Sequence, residues 1–203
     1  MYITVRKYAD KGSLVEKIVP RVRDDLVPQL KRAVGFKGYC LFPSEDGHVV
    51  SIAIFDARES ATRHSEQVRE WVASNRRDLL LDSPEVLAGD VLLHKEAQLR
   101  SGNQGMFAVV RAWDGVGPKD EVLRMVREHV LPIFTGAPGF RGYYTFLDDR
   151  NVSRGVSASL FDTHEHATAA QEKVVAVMRE MRIAPNPPSV MAGKTAIVAA
   201  VEG

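Results

Sequence analysis

Cysteine is almost absent from this chain of 203 residues, which holds a single one, Cys40. One cysteine excludes a disulfide within the chain and a metal site built from several thiolates. Long apolar runs are missing as well, because no stretch reaches the roughly 20 residues needed to cross a bilayer. The chain passes from Met1 directly into a strand-like run, without a charged leader and an apolar segment. We therefore expect a cytoplasmic protein that has no membrane partner.

The net charge of the chain is close to zero. Lys and Arg total 27 against 26 for Asp and Glu, which leaves a formal net charge of +1 at pH 7. The basic residues are interleaved with acids, so no long-range field gathers a phosphate backbone, and we expect no nucleic-acid partner. Four of the six histidines are interpreted as turn or helix-surface residues without a second type of ligand at a suitable spacing, so we expect no metal site; these are His48, His129, His164 and His166.

A repeated motif organises the chain. The segment Gly35 to Tyr39, Gly-Phe-Lys-Gly-Tyr, returns as Gly-Phe-Arg-Gly-Tyr at Gly139 to Tyr143. Further matches place a Phe-Asp pair after a strand in both halves, at Phe55 and at Phe161. The chain is thus predicted to hold two copies of one unit, at 1–96 and 106–203, joined by a polar linker at 97–105.

Each copy has the pattern of strand, helix, two strands, helix and strand. The first copy is predicted to have strands at 2–8, 39–42, 49–55 and 91–95, with helices at 13–33 and 56–75. The second is predicted to have strands at 107–113, 143–147, 156–161 and 195–201, with helices at 119–134 and 163–181. Pro20, Pro28 and Pro132 lie inside the first helix of a copy and predict a bend or a break there.

This order, βαββαβ, is that of a ferredoxin-like unit, whose antiparallel sheet carries helices on one face. The bare face of each sheet needs a partner, and the other copy is always at hand. The predicted fold is therefore α+β, with two ferredoxin-like repeats packed sheet to sheet as an intramolecular barrel. Its helices would lie outside, and a lumen would lie between the sheets.

The Gly-Phe-Lys/Arg-Gly-Tyr motif, the strand ending in Phe-Asp and the following helix with Glu-x-Ala resemble the antibiotic biosynthesis monooxygenase-like family. The resemblance covers both halves and implies a dimeric α+β barrel, normally built by two chains and here fused into one. It implies a monooxygenase, since that family includes cofactor-free oxygenases of aromatic polyketides, haem-degrading enzymes and proteins without an assigned activity. In the haem-degrading branch an Asn, a Trp and a His act together. Trp71 and Asn75 share a helix here, but the sequence brings no His beside them.

Strand alternation suggests which side chains would enter the lumen. We take the aliphatic set, such as Ile3 and Val5 with Ala108 and Val110, to face the helices. The opposite set would then face the lumen and supply the candidate ligand-binding residues, which are Arg6, Tyr8, Ser51, Arg111, Trp113, Ser157 and Ser159.

Two interpretations of the paired arginines remain open. In one, Arg6 and Arg111 anchor a carboxylate, a phenolate or an enolate between aromatic walls. In the other, each arginine pairs with an acid across the sheet, such as Asp90 or Glu96, and only closes the interface. A buried unpaired charge is costly, so either account requires a partner for each guanidinium.

Differences between the copies point to further residues. His94 stands where the second copy has Val198, which is what a site confined to one half would look like, although a core or interface histidine is the simpler reading. His64 and Trp71 correspond to Ala170 and Val177 in the second copy. We interpret both as packing residues of a helix face.

Two functional hypotheses follow. The first is an oxygenase that binds a planar aromatic molecule in the lumen, free of cofactor or linked to haem. The second is a binding or structural barrel without a reaction. No catalytic residue and no required cofactor is assigned, and the chain is expected to act as a monomeric pseudo-dimer, with a higher oligomer not excluded.

Overall fold

The computed structural model describes residues 1–9, 14–79, 82–96, 105–181 and 186–200. The predicted linker at 97–105 lies outside the described residues, except for Gly105. None of the described helices combines the length and the apolar character that crossing a membrane requires.

The first half contains four strands and two helical regions. The strands are β1 (Tyr2–Ala9), β2 (Phe36–Ser44), β3 (His48–Phe55) and β4 (Glu85–Glu96). Between β1 and β2 the chain forms α1 (Leu14–Arg21), a π-helical turn (Val22–Leu26) and α2 (Val27–Arg32). The second helical region is the long helix α3 (Arg58–Leu79).

The second half repeats this order, with its last strand in two pieces. The strands are β5 (Phe107–Asp114), β6 (Phe140–Asp148), β7 (Asn151–Phe161), β8 (Ser189–Lys194) and β9 (Ile197–Ala200). The helices are α4 (Lys119–Met125), a π-helical turn (Val126–Val130), α5 (Leu131–Thr135) and α6 (His164–Glu180).

The nine strands of the described residues form one antiparallel sheet, in the order β8-β5-β7-β6-β4-β1-β3-β2-β9. Each half contributes its strands in the same internal order, last-first-third-second, which is the order of a ferredoxin-like sheet. The strands at the two ends of this order, β8 and β9, are consecutive on the chain. The sheet therefore curls until its two edges meet.

The last strand of each half is longer than predicted because it pairs with both halves. Residues 85–90 of β4 pair with β1, and residues 91–96 pair with β6 of the other half. In the same way β8 pairs with β5, and β9 pairs with β2. The predicted strands at 91–95 and 195–201 covered only the parts that cross between halves, and the preceding segments were missed.

The predicted interruption of the first helix occurs as a π-helical turn before Pro28 and before Pro132, whereas α1 continues through Pro20. Val27 donates its backbone N–H to the carbonyl of Val22, five residues back, directly before Pro28. Leu131 makes the same bond to Val126, directly before Pro132. A proline has no N–H and its ring clashes with the carbonyl four residues earlier, so widening the preceding turn relieves the conflict.

The central core shows that the predicted strand faces were inverted. Ile3 and Val5 pack there with Ala108 and Val110, in the interior between the two halves of the sheet. Tyr2 and Tyr8 instead pack against the first-half helices. Both faces of these strands are apolar because both are covered, so alternation alone could not tell them apart.

The candidate ligand-binding side chains on the strands consequently do not enter the lumen. They lie on the helix-facing side of the sheet, where Arg6 bonds to α3 and Arg111 bonds to α6. The prediction of a luminal site is wrong for the whole set, Arg6, Tyr8, Ser51, Arg111, Trp113, Ser157 and Ser159.

Candidate functional site

Each half has a small cavity between its sheet and its helices. The first, here called the Arg6 cavity, is lined by Arg6 and Tyr8 of β1, by the π-helical turn, and by His64 and Trp71 of α3. Its volume is about 20 Å³, and a single water needs roughly 10–15 Å³. The cavity therefore has room for about one water molecule, with Ser51 and Tyr39 on its sheet side.

Arg6 carries the positive charge of this cavity. Its side chain is buried, and its Nη2 atom donates to the hydroxyl of Ser65 at 2.7 Å. Burial lowers the pKa of the guanidinium, while Tyr8 and Tyr39 nearby oppose that shift. Burial also raises the pKa of Tyr8, so its phenol remains a neutral donor.

His64 is the unusual group in the Arg6 cavity. Its residue is only 3% exposed, and neither ring nitrogen has a hydrogen-bond partner among the described residues. Burial and the charge of Arg6 lower its pKa to about 4, so the imidazole is neutral near pH 7. Gln67 opposes this shift, but its contact with the ring does not reach hydrogen-bond geometry. His64 thus combines an unprotonated ring nitrogen, without a hydrogen-bond partner among the described residues, with a neighbouring cation.

The second cavity, here called the Arg111 cavity, has a volume of about 30 Å³. Arg111 lines it and donates to Ser159 at 3.1 Å and to Gln171 at 2.6 Å. The guanidinium carbon also lies 5.6 Å from the ring centre of Phe134. Trp113 and Ser157 complete the set of predicted residues that this cavity collects.

The alternative in which each arginine pairs with an acid is wrong for the acids named. Asp90 accepts from Arg58 at 3.3 Å, and Glu96 accepts from the hydroxyl of Tyr144 at 2.7 Å. Within the described part of the chain, neither Arg6 nor Arg111 forms an ion pair with a carboxylate. Both charges are held by neutral side chains.

His94 lies apart from both cavities. Its side chain is exposed on β4 and stacks on Tyr144 with ring centres 6.0 Å apart and planes 9° from parallel. His64, by contrast, was interpreted as packing, although it too differs from its counterpart, Ala170. Both histidines differ between the copies, and only the tertiary structure shows that His64 lines a cavity while His94 does not.

The haem-linked set is assembled only in part, because His64 and Trp71 line the Arg6 cavity while Asn75 is not among its lining residues. Asn75 accepts from Arg21 at 2.7 Å and donates to the backbone of Trp71 at 2.8 Å, so its amide is engaged. A cofactor pocket measures roughly 300–1,000 Å³, far more than the Arg6 cavity offers. The residues present do not fit a haem, and no metal-ligand cluster occurs among the described residues.

The fold matches several solved structures at low sequence identity. A protein from Fusobacterium nucleatum, provisionally named a monooxygenase, matches with a TM-score of 0.78 and 14% identity, over 100% of this chain and 95% of its own. A provisionally named monooxygenase from Lactobacillus acidophilus has a TM-score of 0.67 and 10% identity, over 98% and 96%. An anthrone oxidase-like protein has a TM-score of 0.60 and 11% identity, over 100% and 94%.

These neighbours establish the fold and nothing finer. No protein-family model matches the sequence. No curated protein matches it either. The chain therefore has the curled antiparallel sheet of these ferredoxin-like neighbours, while its activity has to be argued from its own residues.

Proposed function

We propose that this chain is an antibiotic biosynthesis monooxygenase-like protein, in which two fused ferredoxin-like halves form an intramolecular dimeric α+β barrel. The repeated motif, the shared strand order within each half and the meeting of the sheet edges support a fused pair. The two neighbours provisionally named monooxygenases support the family. On this view the halves are residues 1–96 and 106–203, and a cytoplasmic monomer suffices for function.

The Arg6 cavity is the active site in this proposal, and the reaction is an oxygenation of a planar phenolic or enolisable compound. One observation carries it: a buried, neutral His64 without a hydrogen-bond partner among the described residues faces the same cavity as a buried arginine. A general base must be unprotonated and free to accept, and an anion formed beside it needs a fixed positive charge. His64 and Arg6 meet these two requirements.

The chemistry uses the electrons of the substrate itself. His64 accepts the proton of the substrate, and Arg6 stabilises the resulting phenolate or enolate. This anion donates electrons to dioxygen; one oxygen atom then bonds to a substrate carbon, and the other leaves as water with the two hydrogens that the substrate loses. Phenol plus dioxygen thus gives benzoquinone plus water, with no further reductant.

The small volume of the Arg6 cavity limits the size of the substrate. Space for about one water does not admit an aromatic ring, so the π-helical turn and its flanking helices have to move outward. A π-helical turn is a common place for such adjustment, because its hydrogen bonds are irregular. The required movement is smaller for a single ring than for three fused rings, so a single-ring phenol is the favoured substrate.

Oxygen uptake with a size series tests this function. The purified protein is given phenol, 1-naphthol and anthrone, the last because one neighbour is named anthrone oxidase-like, and quinone formation is followed by absorbance. His64→Ala is expected to lower kcat/KM by about 10²–10⁴-fold, the usual contribution of a general base. His129→Ala, an exposed histidine of the second half, serves as the matched control. Full activity in His64→Ala would overturn the assignment.

The second candidate is a barrel that binds a small molecule or serves a structural role without catalysis. The observation in its favour is that both cavities hold no more than water-sized molecules. It predicts no enzyme-dependent oxygen uptake with any member of the series. Calorimetric titration with phenol then distinguishes the binding role from the structural role. Saturable heat of binding indicates a binding protein, and no heat indicates a structural one.

A further inference from the structure

The Arg111 cavity contains a buried positive charge that has no role in the proposed oxygenation. Arg111 is only 1% exposed, and a guanidinium remains protonated near pH 7 even though burial lowers its pKa to about 10. Taking an unpaired charge out of water costs several kcal/mol. Something near Arg111 has to compensate for that cost.

The partners of Arg111 within the described residues compensate only in part. Ser159 and Gln171 are neutral acceptors, and the ring of Phe134 offers the weaker attraction of a cation–π contact. The Nε atom of Arg111 is buried and has no hydrogen-bond partner among the described residues. A cation with an unused donor therefore lines the Arg111 cavity.

Besides the indole of Trp113, the other polar side chains around this cavity are hydroxyls. Tyr143, Thr145 and Ser157 line the cavity with Arg111, and burial raises the pKa of Tyr143 to about 12, which keeps its phenol protonated. At the position of His64 in the first half, the second half has Ala170, so the basic nitrogen of the Arg6 cavity has no counterpart. The Arg111 cavity therefore has donor side chains but lacks an imidazole acceptor such as the one His64 gives the Arg6 cavity.

We propose that the Arg111 cavity is a binding site for a small monovalent anion of the size of chloride, held by Arg111 with the hydroxyls of Tyr143 and Ser157. A volume of about 30 Å³ suits an ion no larger than one or two waters. The anion neutralises the buried guanidinium and supplies the acceptor that Nε lacks. This inference does not depend on the oxygenase, since it concerns the other half of the chain.

Tryptophan fluorescence gives a direct readout of this site. The chain has two tryptophans, and Trp113 lines the Arg111 cavity. In Trp71→Phe, Trp113 is the only emitter, and bromide quenches a tryptophan that it contacts. The expected result is a saturable quenching by bromide, shifted to higher bromide by competing chloride and unaffected by bulky gluconate at equal ionic strength. Thermal unfolding is expected at a higher temperature in chloride than in gluconate, because a ligand that binds only the folded state stabilises it.

Three variants, each in the Trp71→Phe background, locate the effect. Arg111→Met is expected to lose the saturable quenching, and Arg6→Met is expected to keep it. Gln171→Glu provides a second route if Arg111→Met fails to fold, because its carboxylate supplies an internal anion and abolishes the bromide response. Purely linear quenching in Trp71→Phe, with equal unfolding temperatures in both salts, would show that the cavity holds only water. An unchanged response in Gln171→Glu would likewise overturn the site.

Discussion

The guanidinium of Arg111 donates a hydrogen bond of 2.6 Å from Nη2 to the side-chain carbonyl of Gln171. Arg6, at the equivalent position of the first half, donates from Nη2 to Ser65 at 2.7 Å. Ser65 and Gln171 occupy matching places on α3 and α6, ten residues after the Phe-Asp strand ends at Phe55 and Phe161. Each half therefore ties its first strand to its second helix through one buried arginine.

Removing the side-chain amide of Gln171 should destabilise the folded protein, because the buried guanidinium of Arg111 loses an acceptor. Gln171→Ala is expected to lower the free energy of unfolding by about 1.5–3 kcal/mol, the range for a hydrogen bond to a charged group. Ser65→Ala should act in the same direction, because it removes the matching bond in the first half. Urea unfolding at pH 7 measures both. A change below about 0.5 kcal/mol, typical of an uninvolved surface site, would show that water replaces the lost acceptor.

His64 should make the stability depend on mildly acidic pH. Its pKa is about 6.5 in the unfolded chain and about 4 in the folded one, so the unfolded state binds the proton more tightly. The stabilisation is complete above pH 6.5 and is lost as the pH falls towards 4, by about 3 kcal/mol in total. Unfolding measured at a series of pH values checks this, with His64→Ala as the control. A wild-type profile parallel to that of His64→Ala would contradict the low pKa.

Two strand glycines should resist substitution because other backbone segments press against them. A Cβ atom on Gly89 would collide with the carbonyl oxygen of Leu147, and one on Gly193 with that of Pro43. Gly89→Ala and Gly193→Ala should each cost about 1–3 kcal/mol, as overpacking of a tight contact does. Gly38→Ala is the matched control, since its nearest atom would be an ordinary 3.7 Å away. Equal stability of Gly89→Ala and Gly38→Ala in urea would contradict the close approach.

The hydroxyl of Tyr2 should stabilise the contact between the two halves of the chain. It donates to Asp149 at 2.7 Å, and Asp149 also accepts from Arg58 at 2.9 Å, so the bond joins the two halves. Tyr2→Phe removes only this hydroxyl and gives the first half the residue of the second, Phe107. The expected loss is about 1–2 kcal/mol in thermal or urea unfolding. An unchanged stability would show that Arg58 alone satisfies the carboxylate.

The order of strands and helices could be predicted because the same motifs occur in both halves of the sequence. The second strands were predicted to begin at Tyr39 and Tyr143, and they begin three residues earlier, at Phe36 and Phe140 of the Gly-Phe motif. The interruption of the helix before Pro28 and Pro132 was predictable, since a proline lacks its own hydrogen bond wherever it lies in a helix. These features depend on local chemistry, which a sequence carries in full.

The candidate site was less predictable. Arg6 and Arg111 were recognised as paired buried charges, but they were assigned to the lumen rather than to the helix side. His64 was passed over, because an imidazole on a helix face looks the same in the sequence whether it borders a cavity or fills a core. Its significance depends on Arg6, which lies 58 positions away along the chain and beside the same cavity.

The sequence by itself determined the repeated motif, the order of strands and helices, and the alternation of side chains along each strand. Only the tertiary structure decided which face of the sheet meets the helices. Ile3 and Tyr2 are both apolar enough to be buried, and both are buried, because the curled sheet is covered on each side. When neither face of a strand meets water, its pattern fixes which residues share a face but not where that face points. The location of the site follows from that choice.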